Sequence, residues 1–235
     1  MLENFNITSI LLKRHVKISV YLPKNYNLNN DSYNSIFLLD GQNVFYDNYS
    51  DNGVSMKLAT SLDEVNANVI VFAIHSPKNN DWRLSELIPY KTSNENMDIN
   101  LAYKFVDFFE ETLIPMLEYR YRLNQNRTII GFKESSIAAA YIASHINTFN
   151  YIGLFSPVID LCYEDALKLF SNVITDKIIH LYYGGTDEDY SKTCYDMFQK
   201  LDKINNQNII FDYEADKDNS LSAWNNHIIN LINKL

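Results

Sequence analysis

Cysteine is nearly absent from this 235-residue chain: Cys162 and Cys194 are the whole complement, too few for a disulfide framework and without metal-ligand spacing. Both are expected as inert thiols in a reducing compartment, which makes the cytoplasm the expected location. Glycine and proline are sparse as well, at 6 and 5 residues, and no Gly/Ser- or Pro-rich linker divides the chain. No internal repeat is visible. One domain over residues 1–235, with one sizeable core, is therefore the natural expectation. Long apolar runs are also missing, and none approaches the roughly 20 residues a membrane helix needs. The start, Met1-Leu2-Glu3-Asn4-Phe5, lacks the basic and then apolar regions of a secretory signal. Positive charge is short: 20 Lys+Arg face 29 Asp+Glu, for a net charge of −9. With no dense basic cluster, that balance argues against nucleic acid or an anionic membrane surface as a partner. The five histidines (His15, His75, His145, His180, His227) are scattered, and no H-x-x-x-H pair suggests zinc. No metal or other cofactor is expected.

What is present is alternation. Short β-branched apolar runs (Val16–Leu22, Ser35–Leu39, Val69–Ile74, Thr128–Ile130, Tyr151–Phe155, Ile178–Tyr183, Ile209–Tyr213) read as strands. Longer amphipathic stretches (54–62, 101–119, 134–145, 164–170, 187–204, 221–235) read as helices. Ile36-Phe37-Leu38-Leu39 and Val69-Ile70-Val71-Phe72 are apolar on both faces, as central parallel strands covered on both sides must be. The order predicts an α/β fold: a doubly wound, mostly parallel sheet with helices on both faces and an antiparallel entry strand. Ligands bind such sheets outside the carboxyl ends of the strands, which directs attention to the residues after Leu39, Ile74, Ile130, Tyr183 and Tyr213.

Those strand ends carry a set of short motifs. They are Val20-Tyr21-Leu22-Pro23 with Tyr26, Leu38-Leu39-Asp40-Gly41-Gln42, Phe108-Phe109-Glu110-Glu111-Thr112-Leu113-Ile114-Pro115 with Tyr121-Arg122, Phe155-Ser156-Pro157, Gly185-Thr186-Asp187-Glu188 and Ala223-Trp224. In this order, from residue 20 to residue 224, the chain resembles the putative esterase (esterase D-like) family of the α/β-hydrolase superfamily. The resemblance implies a Ser–acid–His acyl-transfer site, with the serine in G-x-S-x-G on a strained strand-to-helix turn. The histidine would take the hydroxyl proton and the acid would orient the imidazole.

At the decisive positions the chain departs from that pattern. Gly131-Phe132-Lys133-Glu134-Ser135-Ser136 matches the first glycine, puts Lys133 at the nucleophile position and puts Ser135 and Ser136 at the closing glycines. Asp218-Asn219-Ser220 aligns with the histidine loop, so Asn219 takes the histidine's place, and Glu188 alone keeps a triad-compatible side chain. An amide has no proton to exchange near neutral pH, and a lysine ammonium is not a nucleophile. Losing one triad member costs on the order of 10⁴ to 10⁶ in rate, and losing two costs little more. The oxyanion donors implied by the resemblance are the backbone N–H groups of Glu134 and of Gln42 or its neighbour.

The remaining candidates divide between sharp and plain readings. Ser135 is either a displaced nucleophile or a first-turn helix serine, and His227 is either a base or a partly exposed helix histidine. His75 either lines the former pocket or sits in a loop without a partner, and Ser156 is a pocket or a structural residue. Trp82, Arg83 and Glu86 resemble the family's R-x-x-E loop, where they brace the site mouth. Gly41, Gln42, His75, Glu134 and Ser156 are thus the candidate binding residues around a degenerate triad of Lys133, Glu188 and Asn219. Lys133 either pairs with Glu188 across the old centre or swings out to solvent. The functional expectation is a degenerate esterase homologue that binds a small ester-like ligand or a protein partner. The alternatives are an active ester hydrolase with a rearranged site and a purely structural protein.

Overall fold

The structure, a computed structural model, describes residues 1–186 and 188–233, with the backbone alone for 188–191. Eight strands form one sheet: β1 (Leu2–Ser9), β2 (Arg14–Tyr21), β3 (Tyr33–Leu38), β4 (Val69–Ile74), β5 (Leu123–Phe132), β6 (Phe149–Phe155), β7 (Ile178–Gly184) and β8 (Ile209–Glu214), in spatial order β1-β2-β4-β3-β5-β6-β7-β8. All pairs from β4 onward are parallel, while β1–β2 and β2–β4 are antiparallel. The expected entry strand is β2, and it is antiparallel. Beyond it lies β1, which the sequence reading missed.

Side-chain alternation divides the core in two. Phe37, Ile70, Phe72 and Ile74 point into one layer, together with Phe105, Phe108 and Phe109. Ile36, Leu38, Val69, Val71 and Ala73 point into the other. The first layer lies under α2 (Asn80–Leu87), α3 (Asn100–Phe108), α4 (Ile114–Arg120), α5 (Ser135–His145), α6 (Tyr163–Val173) and α7 (Glu188–Asn205). The second lies under α1 (Leu58–Glu64) and α8 (Leu221–Ile232). Helices therefore cover both faces, as the two-sided apolar strands require.

Three local departures from the sequence reading have physical causes. The stretch expected as one helix over 101–119 is α3 and α4 joined by a π turn at Phe109–Leu113. Pro115 follows directly; it has no N–H for the carbonyl four residues back, and the wider turn absorbs the mismatch. The helix expected from Val54 begins only at Leu58, because Lys57 adopts a left-handed conformation at φ 54°. The segment after Asn79 was not expected to be helical, yet it forms α2, capped by the Asn79 side chain accepting from Trp82 N–H at 2.9 Å. Among the described residues, no helix is long and apolar enough to cross a membrane.

Candidate active site

Three adjacent parallel strands end in the same way. Asp40 beyond β3, Lys133 beyond β5 and Ser156 beyond β6 have φ of 52°, 51° and 51°. None is glycine, and each such residue costs on the order of 1 kcal/mol. At Lys133 the turn is pinned: its N–H donates to Phe155 O at 3.0 Å, and its own carbonyl accepts from Ser136 N–H at 3.1 Å. Glu134 caps α5, which starts at Ser135. The strand-to-helix junction expected between Gly131 and Glu134 is in place, and it presents the Lys133 side chain outward, exposed.

Gly131 makes that junction possible. A Cβ there would lie 2.0 Å from Ser135 O and 2.3 Å from Ser135 C, so only glycine lets α5 descend this closely onto the strand. Ser135 and Ser136 are fully buried and spend their hydroxyls on the same turn. Ser135 Oγ accepts from Phe132 N–H and donates to Phe132 O, both at 2.8 Å; Ser136 Oγ donates to Gly131 O at 2.9 Å. Both hydroxyls are thus engaged within the turn.

The turn opens on a cavity of about 780 Å³ at the carboxyl ends of the strands, where Lys133, Glu134 and Asn219 all reach the wall. Its floor holds a charge cluster. Arg83, from α2, grips Asp40 through Nε at 2.7 Å and through a terminal nitrogen at 2.6 Å, and also reaches Glu134 Oε2 at 3.2 Å. Burial works against the Asp40 carboxylate, but the Arg83 hydrogen bonds and charge hold its carboxyl below the usual range. The same two carboxylates hold the Arg83 guanidinium cationic against its own burial. Arg83 thus braces the site from within, and nearly one turn further along α2 Glu86 takes a two-pronged ion pair from Arg14, both contacts at 2.7 Å. The R-x-x-E resemblance marked these residues, although it placed them on a loop.

Asn219 is committed to the backbone. Its Oδ1 accepts from Gly184 N–H at 2.9 Å and from Ser156 Oγ at 2.6 Å, while its Nδ2 donates to Gly184 O at 3.2 Å. Ser156 in turn accepts from Trp224 Nε1–H at 2.9 Å, so one buried network ties the ends of β6 and β7 to α8. Among the described residues no carboxylate pairs with Lys133, neither Glu134 nor Asp218. The Glu188 side chain lies outside the described residues, and with it the expected Lys133–Glu188 pair.

The family model described as "Putative esterase" matches residues 9–226. The chain belongs to the putative esterase family. No curated protein sequence matches it significantly. Solved structures do, at low identity. An IroE-like serine hydrolase from Shewanella oneidensis is 17% identical with a TM-score of 0.78, covering 99% of this chain and 80% of its own. The BES protein from Bacillus cereus is also 17% identical, with a TM-score of 0.79 and coverage of 98% and 94%. The enterobactin esterase FES from Shigella flexneri is 14% identical, with a TM-score of 0.78, covering 99% of this chain and 58% of its own. At such identities the likeness establishes the α/β-hydrolase-type fold of this esterase-family member.

The other candidate residues are placed apart from the main cavity. Gly41 sits in a short turn against β4, where an added Cβ would meet Ala73 C at 2.3 Å. Gln42 and His75 face a neighbouring cavity of about 330 Å³. Contrary to the partnerless reading, His75 is buried and bonded: Ser19 Oγ spends its proton on Asn4 Oδ1, so His75 Nε2–H donates to Ser19 Oγ at 2.9 Å. His227, expected to be partly exposed, is buried with its ring centroid 3.8 Å from that of Tyr182.

Burial, then the nearby charges of Lys17 and Arg14, push His75 from 6.5 down to about 4, with Asp51 opposing. The folded protein keeps this ring neutral where the unfolded chain protonates it. Stability is therefore whole above pH 6.5 and declines as pH falls from 6.5 toward 4, by up to about 3 kcal/mol. Urea melts between pH 7 and 4 check this. His75→Asn should flatten the slope in that window, and an unchanged slope would assign the acid sensitivity to other groups.

Proposed function

We propose that this esterase-family member has lost ester hydrolysis and uses its retained cavity to bind a small ligand bearing a carbonyl or carboxylate group. One observation carries the reading. The strained turn that would present a nucleophile presents the exposed ammonium of Lys133, and the facing loop offers Asn219, whose amide is held by Gly184 and Ser156. The ammonium attracts an anionic or carbonyl oxygen, and Phe132, Val54, Met56 and Trp224 give the cavity apolar walls. The acidic, cysteine-poor composition accords with a cytoplasmic setting.

The test treats purified protein with a fluorophosphonate probe and p-nitrophenyl acetate. The expected result is neither labelling nor turnover above background. Stoichiometric labelling of Ser135 or Ser136 with turnover would overturn the reading. Lys133→Ser alone should stay inactive, because a serine without a base is protonated and weak. Only Lys133→Ser combined with Asn219→His is expected to recover measurable hydrolysis. A thermal-shift screen of short carboxylates should show stabilisation that Lys133→Ala abolishes.

A further inference from the structure

A second group of chemistry-bearing side chains lies away from that cavity, between the last two strands and the last helix. His180 comes from β7, Asp212 from the edge strand β8 and His227 from α8, and one donor atom from each lies within 4.8 Å of the others. Asp212 Oδ2 stands 2.7 Å from His180 Nε2 and 3.4 Å from His227 Nδ1. The outer ring nitrogens are held from behind: His180 Nδ1 by the Tyr151 hydroxyl at 3.1 Å, His227 Nε2 by Glu214 Oε2 at 3.4 Å. Tyr182 packs against the His227 ring and fixes its orientation.

The surroundings of His227 suit a cation. A neutral His227 ring has a single N–H for two carboxylate oxygens, Asp212 Oδ2 at 3.4 Å from Nδ1 and Glu214 Oε2 at 3.4 Å from Nε2, so one ring nitrogen faces a carboxylate with a lone pair. Nδ1 is buried without a well-aligned hydrogen bond, on a residue only 5% exposed. Two electron-rich atoms at this separation repel unless a positive charge sits between them. Two imidazoles and a carboxylate, each imidazole held through its other nitrogen, form the donor set that borderline divalent metals prefer. Asp212, Glu214 and His227 also open on a cavity of about 610 Å³, which gives the ion a path and leaves room for water as a further ligand.

We infer that His180, Asp212 and His227 form a binding site for a divalent transition metal of the zinc type, tying α8 to the β7–β8 edge. Tetrahedral donors about 2.0–2.1 Å from the ion stand about 3.3 Å apart, so the Asp212 carboxylate must retreat from His180 by roughly half an ångström and donors standing up to 4.8 Å apart must draw together. Its side chain is 38% exposed on an edge strand and is free to pivot. The proton shared between Asp212 and His180 leaves for solvent as the ion enters, so uptake releases protons and weakens at low pH.

The test uses untagged full-length protein, stripped with a chelator and titrated with Zn²⁺ by calorimetry at pH 7.5, with metal analysis after gel filtration. One equivalent should be retained, and saturating zinc should raise Tm by about 5 °C. Asp212→Asn, half-exposed and isosteric, should fold normally, bind at least about 10-fold more weakly and lose the Tm rise. His227→Gln should behave likewise, whereas Lys133→Ala should retain the metal. Absence of stoichiometric uptake would overturn the inference and leave a proton-sharing cluster. Undiminished affinity in both Asp212→Asn and His227→Gln would overturn it equally.

Discussion

Alanine at Gly131 is expected to destabilise the protein by about 4 kcal/mol or more, a large part of an ordinary domain's stability. The added Cβ would meet Ser135 O, Ser135 C and Ser136 N at 2.0, 2.3 and 2.5 Å, all backbone atoms with no rotamer to yield. Relief requires lifting α5 from the sheet, and residues 135–143 of that helix are buried throughout. Close packing transmits such a shift. Chemical denaturation or, failing expression, the soluble fraction is the readout. By contrast, Gly53→Ala, at an open position with φ 71°, should cost only about 1 kcal/mol. If Gly131→Ala melts like wild type, α5 does not sit where the structure puts it.

Removing the Arg83 side chain is expected to have the next largest effect, a loss of about 3–5 kcal/mol in Arg83→Ala. The reason is what it leaves behind. Asp40 is 5% exposed, and without the guanidinium its carboxylate is buried and unpaired. Arg83→Lys should not restore the loss, because an ammonium cannot reproduce the two-pronged grip on Asp40 while also reaching Glu134. Asp40→Asn combined with Arg83→Met should recover much of it, since the penalty belongs to the uncompensated charge. The pH dependence follows from Asp40, whose carboxyl is held low when folded. Its contribution is present above the ordinary aspartate range and is lost as pH falls through the depressed folded value. In Arg83→Ala that acid-side loss should shrink or reverse. Equal stability of Arg83→Ala and wild type across pH 4–8 would show that the cluster contributes nothing.

The sequence was most informative where the fold leaves residues no choice. Val69–Ile74 is buried along its whole length, and its apolar run has the same bounds as β4. The turn at Lys133 was legible because Gly131 and the small residues Ala138, Ala139 and Ala140 signal close strand–helix approach. In β1 only Ile7 and Ser9 are fully buried, so Leu2-Glu3-Asn4-Phe5-Asn6 carries no clean alternation. The segment Asn80-Asp81-Trp82-Arg83 reads as loop because it is polar and largely exposed, and its one inward charge, Arg83, is held by Asp40 and Glu134. The trio of His180, Asp212 and His227 could not be read from spacing at all: β7, β8 and α8 bring it together only in three dimensions.

The left-handed endings shared by Asp40, Lys133 and Ser156 bear on how such a protein diverges. A backbone shape repeated on three neighbouring strands is set by how the sheet stops, with an aspartate, a lysine and a serine all tolerated there. Position 133 is therefore a socket: whatever side chain a point mutation supplies is held out over the same opening at the same angle. A lineage can discard one chemistry and try another without redrawing its main chain.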